Sequence, residues 1–180
     1  MKKFKKIKNF FTETELAIFS KYCEYRHRNT IPTCDPPSND LYPHGDPGYY
    51  ADPLMESILL NKKNLVEKES GKKLYPTYSY WRMYTYGAVL PEHTDRPSCE
   101  ISITAHIDGA PNRWPITVDD TEIFTEPGDA VMYYGIDLKH KREMLNDDFQ
   151  SQVFLHYVDQ DGVNANFKFD QRNMLGMIKE

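Results

Sequence analysis

The chain has few cysteines, few glycines and no long apolar run. Its 180 residues include 3 Cys, 9 Gly and 2 Trp. An odd, irregularly spaced cysteine set (Cys23, Cys34, Cys99) excludes a disulfide scaffold and fits a reducing, cytoplasmic setting. No stretch approaches the length of a membrane span, and the mean hydropathy is −0.70, so no membrane partner is expected. The basic start, Met1 to Lys6, lacks a following apolar segment, which argues against a secretory signal. We read it as a solvated tail. A net charge of −5 gives no electrostatic footprint for nucleic acid.

Aromatic residues are plentiful, 13% of the chain with 13 tyrosines. Aromatics suit a pleated, half-buried surface, so they favour a β-rich fold. The length fits one domain with a sizeable core. Helical support and a loop are expected over 1–74, a β core over 75–160 and a C-terminal tail over 161–180.

Thr12-Glu13-Thr14-Glu15 has the capping-box pattern, with Phe11 and Leu16 placed for a hydrophobic staple. The apolar spacing that follows predicts a helix over 13–27. Asp52-Pro53 is an N-cap with a first-turn proline, predicting a second helix that ends near Gly71. Between the two, residues 30–50 carry five prolines and two glycines. They read as a long irregular loop, with Tyr42, His44, Tyr49 and Tyr50 suited to a lid.

From Tyr75 the period changes from helical to alternating. Strands are expected at 78–86, 100–107, 114–118, 130–134 and 151–158, separated by turns such as Glu126-Pro127-Gly128-Asp129. Short strands at regular spacing argue a sandwich or jelly roll, with the helices packed outside it. There is no internal repeat.

The chemistry concentrates in His93-Thr94-Asp95 and the later His140. Two residues apart on a strand, His93 and Asp95 share a side. A histidine from another strand closes a facial triad of two imidazoles and one carboxylate. That donor set suits Fe(II) and leaves the opposite face open.

The order Tyr84-Thr85-Tyr86-Gly87, His93-Thr94-Asp95, Ser102-Ile103-Thr104, Pro127-Gly128-Asp129-Ala130, His140 resembles the Fe(II)- and 2-oxoglutarate-dependent oxygenases, especially the prolyl 4-hydroxylase-like branch. The resemblance covers about residues 78–158, within one domain. It implies a double-stranded β-helix (jelly roll, cupin-like) braced by N-terminal helices. It also implies Fe(II), 2-oxoglutarate and O2 as reactants, with ascorbate as support. The activity implied is dioxygenase hydroxylation of an aliphatic C–H in a small-molecule or peptide substrate, such as an amino acid or a prolyl residue.

In that family a Lys or Arg on the strand after the distal histidine usually binds the far carboxylate of 2-oxoglutarate. Here the stretch reads Phe149-Gln150-Ser151-Gln152-Val153, with no cation. Arg142 is the favoured substitute, because a buried carboxylate without a cation is costly. Arg96 or Arg82 could reach across instead. Gln150 or Gln152 could bind the carboxylate neutrally, together with tyrosine hydroxyls. Tyr84 and Tyr86 are expected on one strand face as hydroxyl donors. His106 shares a face with Ser102 and Thr104, either touching the co-substrate or hydrogen-bonded in the core. Arg96 is expected to orient Asp95 or to pair with Glu100 at the rim. His156 reads as structural, and Trp81 and Trp114 as core or pocket wall. Two other readings stay open: a cupin-like metal enzyme that does not use 2-oxoglutarate, and a β-sandwich binding module in which the three ligand candidates never meet. Oligomeric state is not legible.

Overall fold

The structure is a computed structural model and describes residues 4–29 and 46–177. Among the described residues, ten strands and two α-helices follow in chain order: β1 (Phe4–Ile7), α1 (Glu13–Asn29), β2 (Gly48–Tyr50), α2 (Pro53–Ser70), β3 (Leu74–Thr85), β4 (Leu90–His93), β5 (Ile101–Gly109), β6 (Ile116–Val118), β7 (Thr121–Ile123), β8 (Ala130–Tyr133), β9 (His140–Arg142) and β10 (Phe149–Asp159). Short 3-10 segments lie at Pro97–Cys99 and Ala165–Gln171.

The strands form two antiparallel sheets. The major sheet runs β1-β8-β5-β10-β3-β2 and the minor sheet β4-β9-β6-β7. Facing each other, they make the double-stranded β-helix that the resemblance implies.

Both helices start as their local chemistry dictates. The backbone N–H of Thr12 donates to the Glu15 carboxylate (2.8 Å), and the N–H of Glu15 donates back to Thr12 Oγ1 (3.2 Å). This reciprocal pair satisfies two donors that the first turn would otherwise leave bare. At α2 the Asp52 carboxylate accepts from the N–H groups of Leu54 and Met55, and Pro53 opens the helix. Gly71 closes it in the left-handed region, at φ 72, where a Cβ would be strained.

Alternation along the major sheet sorts its side chains. Ile101, Ile103, Ala105 and Ile107 of β5, Trp81 of β3, and Val153, Leu155 and Tyr157 of β10 join Phe19, Cys23, Met55, Ile58 and Leu59 of the helices in one buried cluster. The intervening residues face the barrel interior. Two smaller apolar clusters fill that interior. One holds Tyr84, Trp114, Leu145 and Phe154; the other holds Ile116, Val118, Val131, Tyr133 and Leu138. Polar residues on the same face, Ser102, Thr104, Arg82, Gln150 and Gln152, are therefore trapped inside and available for a site.

Several expectations are corrected. The basic start is not a solvated tail: residues 4–7 pair with β8 as an edge strand, with Lys5 against Glu69 and Lys6 against Asp129. The far end of the 30–50 loop is also a strand, β2, paired with β3. Its Tyr49 is buried flat on Trp81, with ring centroids 4.0 Å apart, so Trp81 belongs to the helix-facing core rather than to a pocket wall. Tyr42 and His44 lie outside the described residues. Within the C-terminal tail, the described residues 161–177 pack on the fold. Asp170 and Arg172 are buried, and Arg172 donates to Glu56 and to the Thr77 carbonyl.

Candidate metal centre

Sheet register brings the two histidines together. β4 and β9 are antiparallel, and His93 sits directly opposite His140. Their rings lie 4.2 Å apart between centroids. Asp95 is not on the strand, contrary to the sequence reading. It lies just past the end of β4, before the 3-10 turn, where its N–H donates to the Gly135 carbonyl at 2.8 Å. From there Asp95 Oδ1 stands 3.6 Å from His93 Nε2 and 3.4 Å from His140 Nε2. The three ligand atoms lie within 4.8 Å of one another.

Both imidazoles are oriented from behind. His93 Nδ1 contacts the Pro91 carbonyl (2.8 Å), and His140 Nδ1 the Leu138 carbonyl (3.0 Å). A carbonyl accepts only from N–H. Each ring therefore has its Nδ1 proton on a carbonyl, which leaves Nε2 as the nitrogen turned toward Asp95 and the one that would bind a metal. Burial would raise the Asp95 carboxyl, but hydrogen bonding with His140 and then His93 outweighs it and holds the group far below the usual carboxylate range. The same contact with Asp95 raises His93. His140 is buried while His93 is exposed at the rim, so the centre opens to one side. Two neutral imidazoles and one carboxylate on one face fit Fe(II) chemistry.

Three further residues serve the carboxylate, and the sequence reading gave them no role at the metal. Ser102 Oγ donates to Asp95 Oδ2 at 2.9 Å. That hydroxyl has one proton, so it accepts from His156 Nδ1, also at 2.9 Å. Burial pushes His156 down to about 4, which keeps it neutral beside the site. The interior alternation of β5 was the signal that marked Ser102. Gly135 passes so close that a Cβ there would stand 2.1 Å from Asp95 Oδ2 and 2.7 Å from the Cys99 carbonyl. A glycine after Tyr133-Tyr134 carried that signal without saying what it faced.

The remaining candidates separate into those near the barrel interior and those elsewhere. Arg142 follows His140 on β9 and is 1% exposed. Its Nη1 donates to the Trp114 carbonyl at 2.6 Å, and its guanidinium lies 4.7 Å from the Trp114 ring centroid. Nε and Nη2 have no hydrogen-bond partner. Burial pushes this guanidinium down to about 10. Tyr84 packs edge-on to Trp114 at 5.0 Å and is buried. Gln150, its cross-strand partner, is 1% exposed with both amide atoms unpartnered. Gln152 accepts from Thr104 Oγ1 at 3.0 Å, and its Nε2 is unpartnered. Arg82 lies across from Gln152 and donates to Tyr80 Oη.

Tyr86 and Arg96 lie otherwise than expected, and His106 takes one of its two expected places. Tyr86 lies past the end of β3 and is 60% exposed, so it does not share the buried position of Tyr84. His106 Nε2 donates to the Gly109 carbonyl (2.6 Å), and the Thr125 hydroxyl, 3.3 Å from Nδ1, donates to that nitrogen; this is the hydrogen-bonded core histidine of its two expected roles. Arg96 pairs with neither Asp95 nor Glu100. It makes two parallel hydrogen bonds to Asp170, both 2.9 Å.

No family model matches the sequence, and no curated protein matches it. Solved structures do match in shape. The non-heme α-ketoglutarate-dependent epimerase SnoN from nogalamycin biosynthesis superposes with a TM-score of 0.69 at 9% identity, over 87% of this chain and 76% of that one. HygX from Streptomyces hygroscopicus, solved with nickel and 2-oxoglutarate bound, gives 0.65 at 12%, over 88% and 83%. A Pseudomonas putida prolyl-4-hydroxylase gives 0.61 at 13%, over 86% and 92%. The chain thus has the double-stranded β-helix fold of the 2-oxoglutarate- and iron-dependent oxygenases.

Proposed function

We propose that this chain is an Fe(II)- and 2-oxoglutarate-dependent dioxygenase that hydroxylates an aliphatic C–H of a small molecule or peptide, with an amino acid or a prolyl residue as the favoured substrate. The observation that carries the reading is the convergence of His93 Nε2, Asp95 Oδ1 and His140 Nε2 on one point, backed by a buried arginine with no acidic partner. His93, Asp95 and His140 would hold the iron. When bound, iron and 2-oxoglutarate supply oxidising power from O2, and the oxo acid is lost as succinate and CO2.

The protein residues do the rest. The Pro91 and Leu138 carbonyls fix the imidazole tautomers, and Ser102 holds the far oxygen of Asp95. Arg142 is the residue we assign to the distal carboxylate of 2-oxoglutarate. A fully buried cation without a counter-ion is destabilising alone, and a dianionic ligand would relieve it. Nε and Nη2 provide the two donors a carboxylate accepts. Trp114 and Tyr84 wall that cation from water and strengthen the interaction. Tyr84 Oη offers a further hydrogen bond, as do the amides of Gln150 and Gln152 on the strand where the resembling enzymes carry a cation.

The absence of a cation on β10 favours a second reading, a cupin-like metal enzyme that does not use 2-oxoglutarate. Purified protein with Fe(II), ascorbate, O2 and 2-oxoglutarate separates the two. Succinate release, even uncoupled from a substrate, supports the first reading, and its complete absence in an iron-loaded sample supports the second. Screening amino acids and proline-containing peptides for stimulation of succinate release tests the substrate class. Among the described residues, Cys23 and Cys99 are buried and free, consistent with a reducing, cytoplasmic location. Among the described residues no helix is long and apolar enough to cross a membrane.

A further inference from the structure

Asp170 lies in the C-terminal segment, far in sequence from the metal ligands, yet it ends beside them. It is 2% exposed. Its carboxylate takes both Arg96 hydrogen bonds, Nη1 to Oδ1 and Nη2 to Oδ2 at 2.9 Å each, and a third from Tyr50 Oη at 2.6 Å. Arg96 is the residue immediately after Asp95. It also enters the 3-10 turn Pro97–Cys99 from an extended backbone, φ −74 and ψ 161. Fixing its planar guanidinium in a two-point grip therefore fixes the direction in which the chain leaves the ligand.

The segment that presents Asp170 is strained. Phe169, Asp170 and Gln171 have φ of 55, 55 and 62, three consecutive non-glycine residues in the left-handed region. Such strain persists only where the surroundings over-determine it. Here the surroundings lead back to the ligand by a second route. The Arg96 guanidinium sits 4.5 Å from the Tyr78 ring centroid. Tyr78 Oη contacts Cys99 Sγ at 3.1 Å, and its ring lies 4.5 Å from that of His156. His156 holds Ser102, and Ser102 holds Asp95 Oδ2. Both the Asp95 carboxylate and the backbone that follows it thus terminate on one cluster.

We propose that Asp170 is a positioning residue for the metal centre: by gripping Arg96 it holds the Asp95 loop in register with His93 and His140. The inference rests on the reading of those three residues as metal ligands. Asp170 touches neither metal nor substrate, and its effect is on ligand geometry.

The test is Ni(II) binding to the full chain, followed by calorimetry, with Co(II) absorption as a report on ligand geometry. Asp170→Asn keeps the shape and removes the charge that makes the grip. It is expected to weaken Ni(II) about tenfold and to shift or broaden the Co(II) bands. Arg96→Gln breaks the same pair from its half-exposed side, with less risk to folding, and should cost the same. The double variant should cost no more than either single one, since all three remove one interaction. Parent-like Ni(II) affinity and Co(II) bands in Arg96→Gln would overturn the proposal, as would fully additive losses. If the parent chain itself binds no Ni(II), the metal reading fails instead.

Discussion

Arg142 lies two residues beyond His140 on the same strand, and both side chains are buried on the interior face of the barrel. Two residues of extended chain span about 7 Å. The cation therefore sits one short step along the strand from the candidate metal ligand, over the Trp114 ring.

This relation predicts opposite effects on the empty and loaded protein. Arg142→Met removes a buried cation that has no acidic partner, so the apo protein should lose no stability and gain about 1 kcal/mol or more. The same change should weaken 2-oxoglutarate by about 3 kcal/mol, more than 100-fold. Thermal melting without ligand and calorimetric titration with 2-oxoglutarate check the two halves. A lower melting temperature with unchanged 2-oxoglutarate affinity would assign Arg142 to the core alone.

Gly135 predicts a metal defect that leaves every ligand in place. An added Cβ would collide with Asp95 Oδ2 and with the Cys99 carbonyl, and backbone cannot swing aside as a side chain can. Gly135→Ala should destabilise the fold by about 1–3 kcal/mol and weaken Ni(II) about 10–100-fold. Melting and metal titration of one sample measure both, and undiminished Ni(II) affinity would show that Asp95 has room to move.

Glu67 gives a pH dependence. At the end of α2 its carboxylate is held down to about 2, first by Lys63 and then by the N–H of Leu74. A carboxyl with a depressed folded value contributes stability that is fully present above its unfolded value near 4.5. That contribution is lost as pH falls through the folded value. Glu67→Gln should therefore be less stable than the parent at pH 7 by about 1–2 kcal/mol. The gap should narrow steadily as pH falls from about 4.5 toward 2, as followed by urea unfolding at each pH. A gap that stays constant with pH would remove the charge from the explanation.

Trp81 separates packing from hydrogen bonding. It is fully buried on Tyr49, yet its Nε1 has no partner. Trp81→Ala should cost about 3–5 kcal/mol. Trp81→Phe should cost well under half of that, because it removes an unsatisfied donor along with the lost volume. Parallel denaturation curves decide it, and equal losses in the two variants would refute this account.

Legibility from the sequence followed the reach of each signal. Helix caps are local, so Thr12, Asp52 and Gly71 announced their ends to within a residue or two. Alternation is also local, and β5 gave both its apolar face and the interior row of Ser102, Thr104 and His106. The candidate ligand trio was visible because its residue types are chemically special and two of them stand only two positions apart. β1 was hidden, because Phe4-Lys5-Lys6-Ile7 becomes a strand only by pairing with β8. Asp170 was hidden for the same reason. Nothing near it in sequence mentions Arg96, and its left-handed backbone is imposed by the cluster it joins. Tyr86 was misplaced by carrying a period of two one step past the end of β3.

The two outer strands of the major sheet have a consequence for the protein in concentrated solution. Among the described residues, the edges are β1, four residues long with two lysines, and β2, three residues long and opening with a glycine. An exposed row of backbone donors and acceptors invites another molecule to add a strand. Here one border is short and positively charged and the other is shorter still, so a chain this rich in tyrosine offers neighbouring copies little template for fibrous growth. Replacing Lys5, the more exposed of the two lysines, with valine would make the purified protein prone to aggregate, visible as light scattering that rises with concentration.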